Sequence, residues 1–151
     1  METQIICQST AQASRKFSKK LLMLAAAGGA AFWIIDFAIS VSPIAAQYKA
    51  AFSISSLPVA LAEAFVGGVV IALCVSFFLL HFFDRVPSKK PIFKALILSF
   101  FVMVIIEVFS ALGNPAYASV YILLDTGMNA SRFLALGLVI GYLFDKQKGK
   151  I

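Results

Sequence analysis

The stretch Asp84-Arg85-Val86-Pro87-Ser88-Lys89-Lys90-Pro91-Ile92-Phe93-Lys94 lies between two long apolar runs and decides how the chain is read. It is short, basic and broken by two prolines. Four cations this close to segments of hydrocarbon length resist crossing a bilayer, so the loop is expected in the cytoplasm.

Working outward, four segments are long and apolar enough to span: Leu21–Val41, Val59–Phe83, Ala95–Leu112 and Met128–Phe144. A hydrocarbon core of ~30 Å takes about 20 helical residues, with a range of about 17 to 25, and all four fit. The chain is 61% hydrophobic with a mean hydropathy of +0.93, well outside the soluble range. A soluble helix would need a polar stripe, and Leu96–Ile106 offers only Ser99. The expected fold is therefore all-α, a polytopic four-transmembrane-helix bundle. A basic tail (1–20) precedes the bundle (21–145), and a second one (146–151) follows it.

Charge distribution sets the orientation. Arg15, Lys16, Lys19, Lys20, Arg85, Lys89, Lys90, Lys94, Lys146, Lys148 and Lys150 fall on one side of a four-span arrangement; only Lys49 and Arg132 fall on the other. This is the positive-inside pattern. It places both termini in the cytoplasm and the protein in the cell membrane, and it argues against nucleic acid as the target of the +6 charge. The apolar run after the first basic patch looks superficially like a secretory signal. Its length of about 20 residues exceeds the ~7–15 of a signal's apolar region, and Asp36 interrupts it, so it reads as a retained helix. Cys7 and Cys74 lie too far apart in this layout to pair.

Within the order of the chain, Met1–Ser14 is polar, with Glu2 its only charge, and is expected to be mobile. The loop at 42–58 carries a candidate interfacial helix at Ala45–Ile54. Asn114-Pro115 is expected to end the third span. Tyr117–Leu124 is too short to cross, and Asp125-Thr126-Gly127 is expected to break it from the fourth span. Gly28, Gly29, Gly67, Gly68, Gly137 and Gly141 are the candidate helix-packing positions, because small residues let backbones approach where apolar burial gives no drive. Asn129-Ala130-Ser131 matches a glycosylation triplet but lies against the membrane and is read as chance.

The basic loop also separates two halves with similar landmarks. Ser18-Lys19-Lys20 and Ser88-Lys89-Lys90 each lead into a span, and Asp36 and Glu107 precede Pro43 and Pro115 by seven and eight residues. Glu63 and Arg132 each stand five residues before Gly-Val-Val-Ile and Gly-Leu-Val-Ile. Such offsets fit a parallel internal repeat, although apolar spans also align by accident.

The residues that could carry chemistry are Asp36, Glu63, Glu107 and Arg132, one for each span and all in the half of the membrane away from the basic loop. Intramembrane charges are rare and tend to pair inside the bundle. Arg132 is expected to pair with Glu63 or Glu107, in an acidic pocket open to the outside with Asp125 and Lys49 at its mouth. Glu63 and His81 stand 18 residues apart, about 27 Å along one helix, and cannot share a proton or a metal. One histidine and two separated cysteines cannot assemble a zinc site. No cofactor, metal or enzymatic nucleophile is expected.

The reading that follows is a small transporter or channel-like protein for a cation or cationic solute; the alternative is a non-transporting scaffold or accessory subunit that binds partner helices. Expected partners are the bilayer, anionic headgroups at the basic loops, and further copies of the chain, because four helices enclose little space. Cysteines introduced at Lys89 and Lys146 should react with a membrane-impermeant thiol reagent from the same side of the bilayer. Labelling from opposite sides would remove the topology.

Overall fold

The computed structural model describes residues 2–43, 56–113 and 118–148. They form four helices, α1 (Glu2–Ser40), α2 (Leu57–His81), α3 (Pro91–Gly113) and α4 (Ala118–Lys148), with a 3-10 turn at Phe83–Arg85. No strand occurs among the described residues. The prolines open helices: Pro91 is the first residue of α3, and Pro58 lies in the first turn of α2, where its missing N–H has no intrahelical partner to lose. At Phe82, with φ −114° and ψ 24°, the chain leaves α2 for the 3-10 turn.

Four stretches are long and apolar enough to cross a membrane: Ser14–Ser40, Leu57–His81, Pro91–Gly113 and Asp125–Gln147. Large apolar side chains face outward on all four helices, among them Ile34, Val66, Phe101, Phe109 and Leu138. Exposed apolar surface on this scale needs a non-aqueous cover. On α3 only 22% of the most apolar window is buried within the bundle.

Several boundaries differ from the sequence expectation, each for a local reason. Helix α1 starts at Glu2 and runs unbroken into the apolar segment, well before the expected start of the first span at Leu21. Asp125-Thr126-Gly127 does not break α4, which continues from Ala118 to Lys148. A helical glycine costs only about 1 kcal/mol, and Asp125 is buried against the bundle. Phe83 leaves the second span for the 3-10 turn, while Lys94, expected in the loop, joins the first turn of α3. The Ala45–Ile54 segment, Lys49 and Asn114-Pro115 lie outside the described residues.

The helices pack as antiparallel neighbours in the ring α2–α1–α4–α3, with α1–α2 and α3–α4 the most extensive contacts and α2–α3 the loosest of the ring. Along the α1–α4 seam, Lys20 lies over the Phe144 ring at 4.4 Å. Gly28 then meets Ile140, and Phe32 meets Phe133 edge-on with centroids 5.5 Å apart. On the α1–α2 seam Gly29 approaches the Val69 backbone, Gly68 approaches Phe32, and Trp33 Nε1 donates to the Leu61 carbonyl at 3.1 Å. On the α3–α4 seam Gly137 meets Leu96 and Ser99, and Gly141 lies against the backbone of Ile92. Gly67, named with the packing glycines, faces open space. The hairpins do not repeat each other closely, since α1–α4 is tight where its counterpart α2–α3 is loose.

At the end of the bundle that holds the basic loop, four elements stack. The Phe83 and Phe144 rings lie 5.0 Å apart at 16°. Lys20 covers one side of the pair and Lys94 the other, at 3.9 Å from the Phe83 ring. Lys94 is 5% exposed and its Nζ donates to the Phe83 carbonyl, so the cation is held by a carbonyl dipole and a π face.

Close approach at Gly141 yields a stability prediction. A Cβ there would sit 2.5 Å from Ile92 Cα, and only backbone movement of α3 relieves it. Gly141→Ala should lower stability by about 1–3 kcal/mol, the usual cost of overpacking. Gly67→Ala, with open space around it, should be neutral or raise stability by up to about 1 kcal/mol through helix propensity. Unfolding of both variants in one detergent checks the ordering.

Candidate functional site

On α4, Asp125, Asn129 and Arg132 recur at the spacing that puts residues on one helix face. That face turns inward: Asp125 and Asn129 are both 8% exposed. Opposite them stand Asp36 on α1 and Glu107 on α3, 5% and 6% exposed. Three helices therefore bring five polar side chains together above the Phe32–Phe133 contact.

The connections form one chain. Arg132 Nη2 pairs with Asp36 Oδ1 at 2.5 Å. Arg132 Nη1 donates to Asn129 Oδ1 at 2.6 Å, and Asn129 Nδ2 donates to Glu107 Oε1 at 2.7 Å. Asp125, one turn before Asn129 on the same face of α4, is buried beside them. Two atoms in this chain are buried without a hydrogen-bond partner, Glu107 Oε2 and Arg132 Nε.

Charge and hydrogen-bonding logic explain the arrangement. A guanidinium presents several donors in a fixed fork, so Arg132 can hold the α1 carboxylate with one arm and Asn129 with the other. The Asn129 amide accepts on one side and donates on the other. It thereby passes the contact from a cation to an acid that the guanidinium does not reach directly.

Of the sequence-derived candidates, the structure brings Asp36, Glu107 and Arg132 together. Glu63 stands apart, exposed on α2 with Val70, Cys74 and His81 on the same outward face. The direct ion pair of Arg132 is with Asp36, where Glu63 or Glu107 had been expected. Helix α2 turns Gly68, Ala72, Val75 and Ser76 inward instead, which carries Glu63 outward. Asp36 and Glu107 are packed between helices, bridged by Arg132 and Asn129. Apolar clefts lie elsewhere, including one of about 220 Å³ between α1 and α2 lined by Leu22, Ala26, Phe65 and Leu73. His81 stacks on Phe77 at 5.6 Å near the far end of α2. Among the described residues no group of three or more metal-ligating side chains occurs.

Asn129 is the member that sequence reasoning missed, having been read only as part of a chance glycosylation triplet. Its signal was available: a polar residue one turn before Arg132 and one turn after Asp125, in a helix otherwise apolar on that face. No protein-family model matches the chain, and no curated protein or solved structure is significantly similar to it.

Asn129→Leu keeps the side-chain volume but leaves Glu107 Oε1 and Arg132 Nη1 without their partner. Orphaning a buried polar group costs about 1–3 kcal/mol, and the variant should unfold correspondingly earlier in detergent. Glu63→Gln, at an exposed site, should stay within about 0.5 kcal/mol of the parent. Equal losses from the two would contradict the geometry.

Proposed function

We propose that this chain is an integral protein of the cell membrane, with its basic end and both termini in the cytoplasm. We further propose that it acts as a small transporter or channel-like protein for a cation, including the proton. One observation carries the reading: among the described residues the buried polar chain sets two acids, Asp36 and Glu107, against the single cation Arg132. A low-dielectric interior does not hold a surplus negative charge, so a proton or a bound cation must balance it. A group that gains and loses such a balancing charge is what a coupled carrier needs.

The positive-inside distribution supports the orientation, which puts the polar chain in the outer half of the membrane. The lysines and arginines at the basic end would also attract anionic headgroups, at about 1 kcal/mol each near the surface. Four helices enclose little space, so permeation would involve a second copy of the chain or a rearrangement around the polar chain.

The other reading, a scaffold or accessory subunit, would use small-residue faces to bind partner helices. Gly28, Gly29, Gly68, Gly137 and Gly141 are occupied within the chain's own bundle. That leaves the scaffold reading with less surface of the kind it needs.

Glu107→Gln tests the transport reading more cleanly than a change at Asp36, which would strip Arg132 of its only carboxylate partner among the described residues. Purified protein in proteoliposomes should show pH- or cation-dependent flux that Glu107→Gln abolishes and Glu63→Gln leaves intact. No flux from the parent across a panel of cations, or undiminished flux from Glu107→Gln, would overturn the reading.

A further inference from the structure

We infer that the cleft between α1 and α4 at the basic end binds one anionic phospholipid. An acyl chain lies against Met23 and Leu143, and the phosphate sits between Lys19 and Lys146. This rests on the membrane reading above and is independent of transport. The cleft has a volume of about 270 Å³ and is lined by Met23, Leu143, Lys146 and Gln147. Gln147 Nε2 donates to Met23 Sδ at 3.5 Å across the seam, which leaves Met23 45% exposed.

The register of the seam places two cations at one height. Lys20 lies over the Phe144 ring, Gly28 meets Ile140 and Phe32 meets Phe133. That antiparallel run puts Met23 level with Leu143, and Lys19 level with Lys146 one turn nearer the basic end. Lys19 stands four residues before Met23, and Lys146 three after Leu143, so each lies on the face of its helix that forms the cleft. Lys16, a further turn out, continues the same face of α1. All three lysines are exposed, whereas Lys20 is committed to the Phe144 ring.

The chemistry of the cleft selects its occupant. A lysine stem lies along apolar surface while its ammonium stays in water, so Lys146 lines the cleft and still meets a headgroup. An apolar floor with two ammonium groups at its rim matches a hydrocarbon chain joined to an anion. Asp145 is the one acid in the last three turns of α4, and none lies between Arg15 and Met23 on α1. The rim therefore favours a headgroup of net negative charge over one that carries its own cation. A second copy of the chain docked here about an axis along the bundle would bring like charges together, which disfavours it.

Native mass spectrometry of the full chain, titrated in detergent with phosphatidylglycerol or phosphatidylcholine, reads the bound lipid directly. The parent should retain phosphatidylglycerol in preference. Each lysine near a headgroup contributes about fivefold, so Lys19→Gln with Lys146→Gln should weaken phosphatidylglycerol binding about 25-fold. Lys89→Gln with Lys90→Gln removes the same charge from the exposed loop and should cost less than about fivefold. Equal binding of the two lipids by the parent, or equal losses from the two pairs of substitutions, would overturn the inference. Glycerol phosphate has the anion without the chains and should not displace the lipid at matched concentration. Displacement would mean that the apolar cleft takes no part, and the inference would fall. Insertion of the same samples into nanodiscs separates the two claims. A chain that inserts but shows no lipid preference keeps the membrane reading and loses the site; one that does not insert loses both.

Discussion

The ion pair between Arg132 and Asp36 fixes how α1 and α4 face each other, and most of the remaining geometry follows from it. An unpaired charge buried in an apolar interior is costly, so each residue depends on the other. Once they pair, the antiparallel register is set: as α1 runs from Lys20 to Asp36, α4 runs back from Phe144 to Arg132. Asn129, three residues before Arg132 on the same helix, is then aimed at α3 and captures Glu107.

The two ends of the bundle are held by different physics. At one end three helices share charge-assisted hydrogen bonds. At the other, Lys20, Phe144, Phe83 and Lys94 stack cation on ring on ring on cation, which also secures the 3-10 turn between α2 and α3. Between them, glycines at 28, 29, 68, 137 and 141 bring the backbones close enough for dispersion contacts to act where burial from water gives no drive. The polar chain specifies register through directional contacts, and the glycine seams add close packing of the backbones.

Much of this was legible in the sequence, and the failures have physical causes. Length and hydropathy gave four helices because hydrocarbon thickness imposes a length. Asp36, Glu107 and Arg132 stood out because charges in such segments are costly. Glu63 looked equivalent to them, but helix rotation is not readable from hydropathy alone, and α2 turns its small residues inward and Glu63 outward. Asp125-Thr126-Gly127 looked like a break because Asp and Gly are poor helix formers; packing of α4 against the bundle, with Asp125 buried, outweighs that local preference. Asn129 was overlooked because a neutral amide carries no charge to draw notice, although an amide, which accepts on one atom and donates from the other, can bridge a guanidinium to an acid in this way.

A double-mutant cycle on Asp36→Asn and Arg132→Gln, with unfolding free energies measured in one detergent, tests the ion pair most directly. Each single change strands a buried charge, and the double change strands none. The double variant should therefore be more stable than the sum of the two losses implies, with a coupling of about 1–3 kcal/mol. Additive losses, with no coupling, would contradict the contact on which the register of α1 and α4 depends.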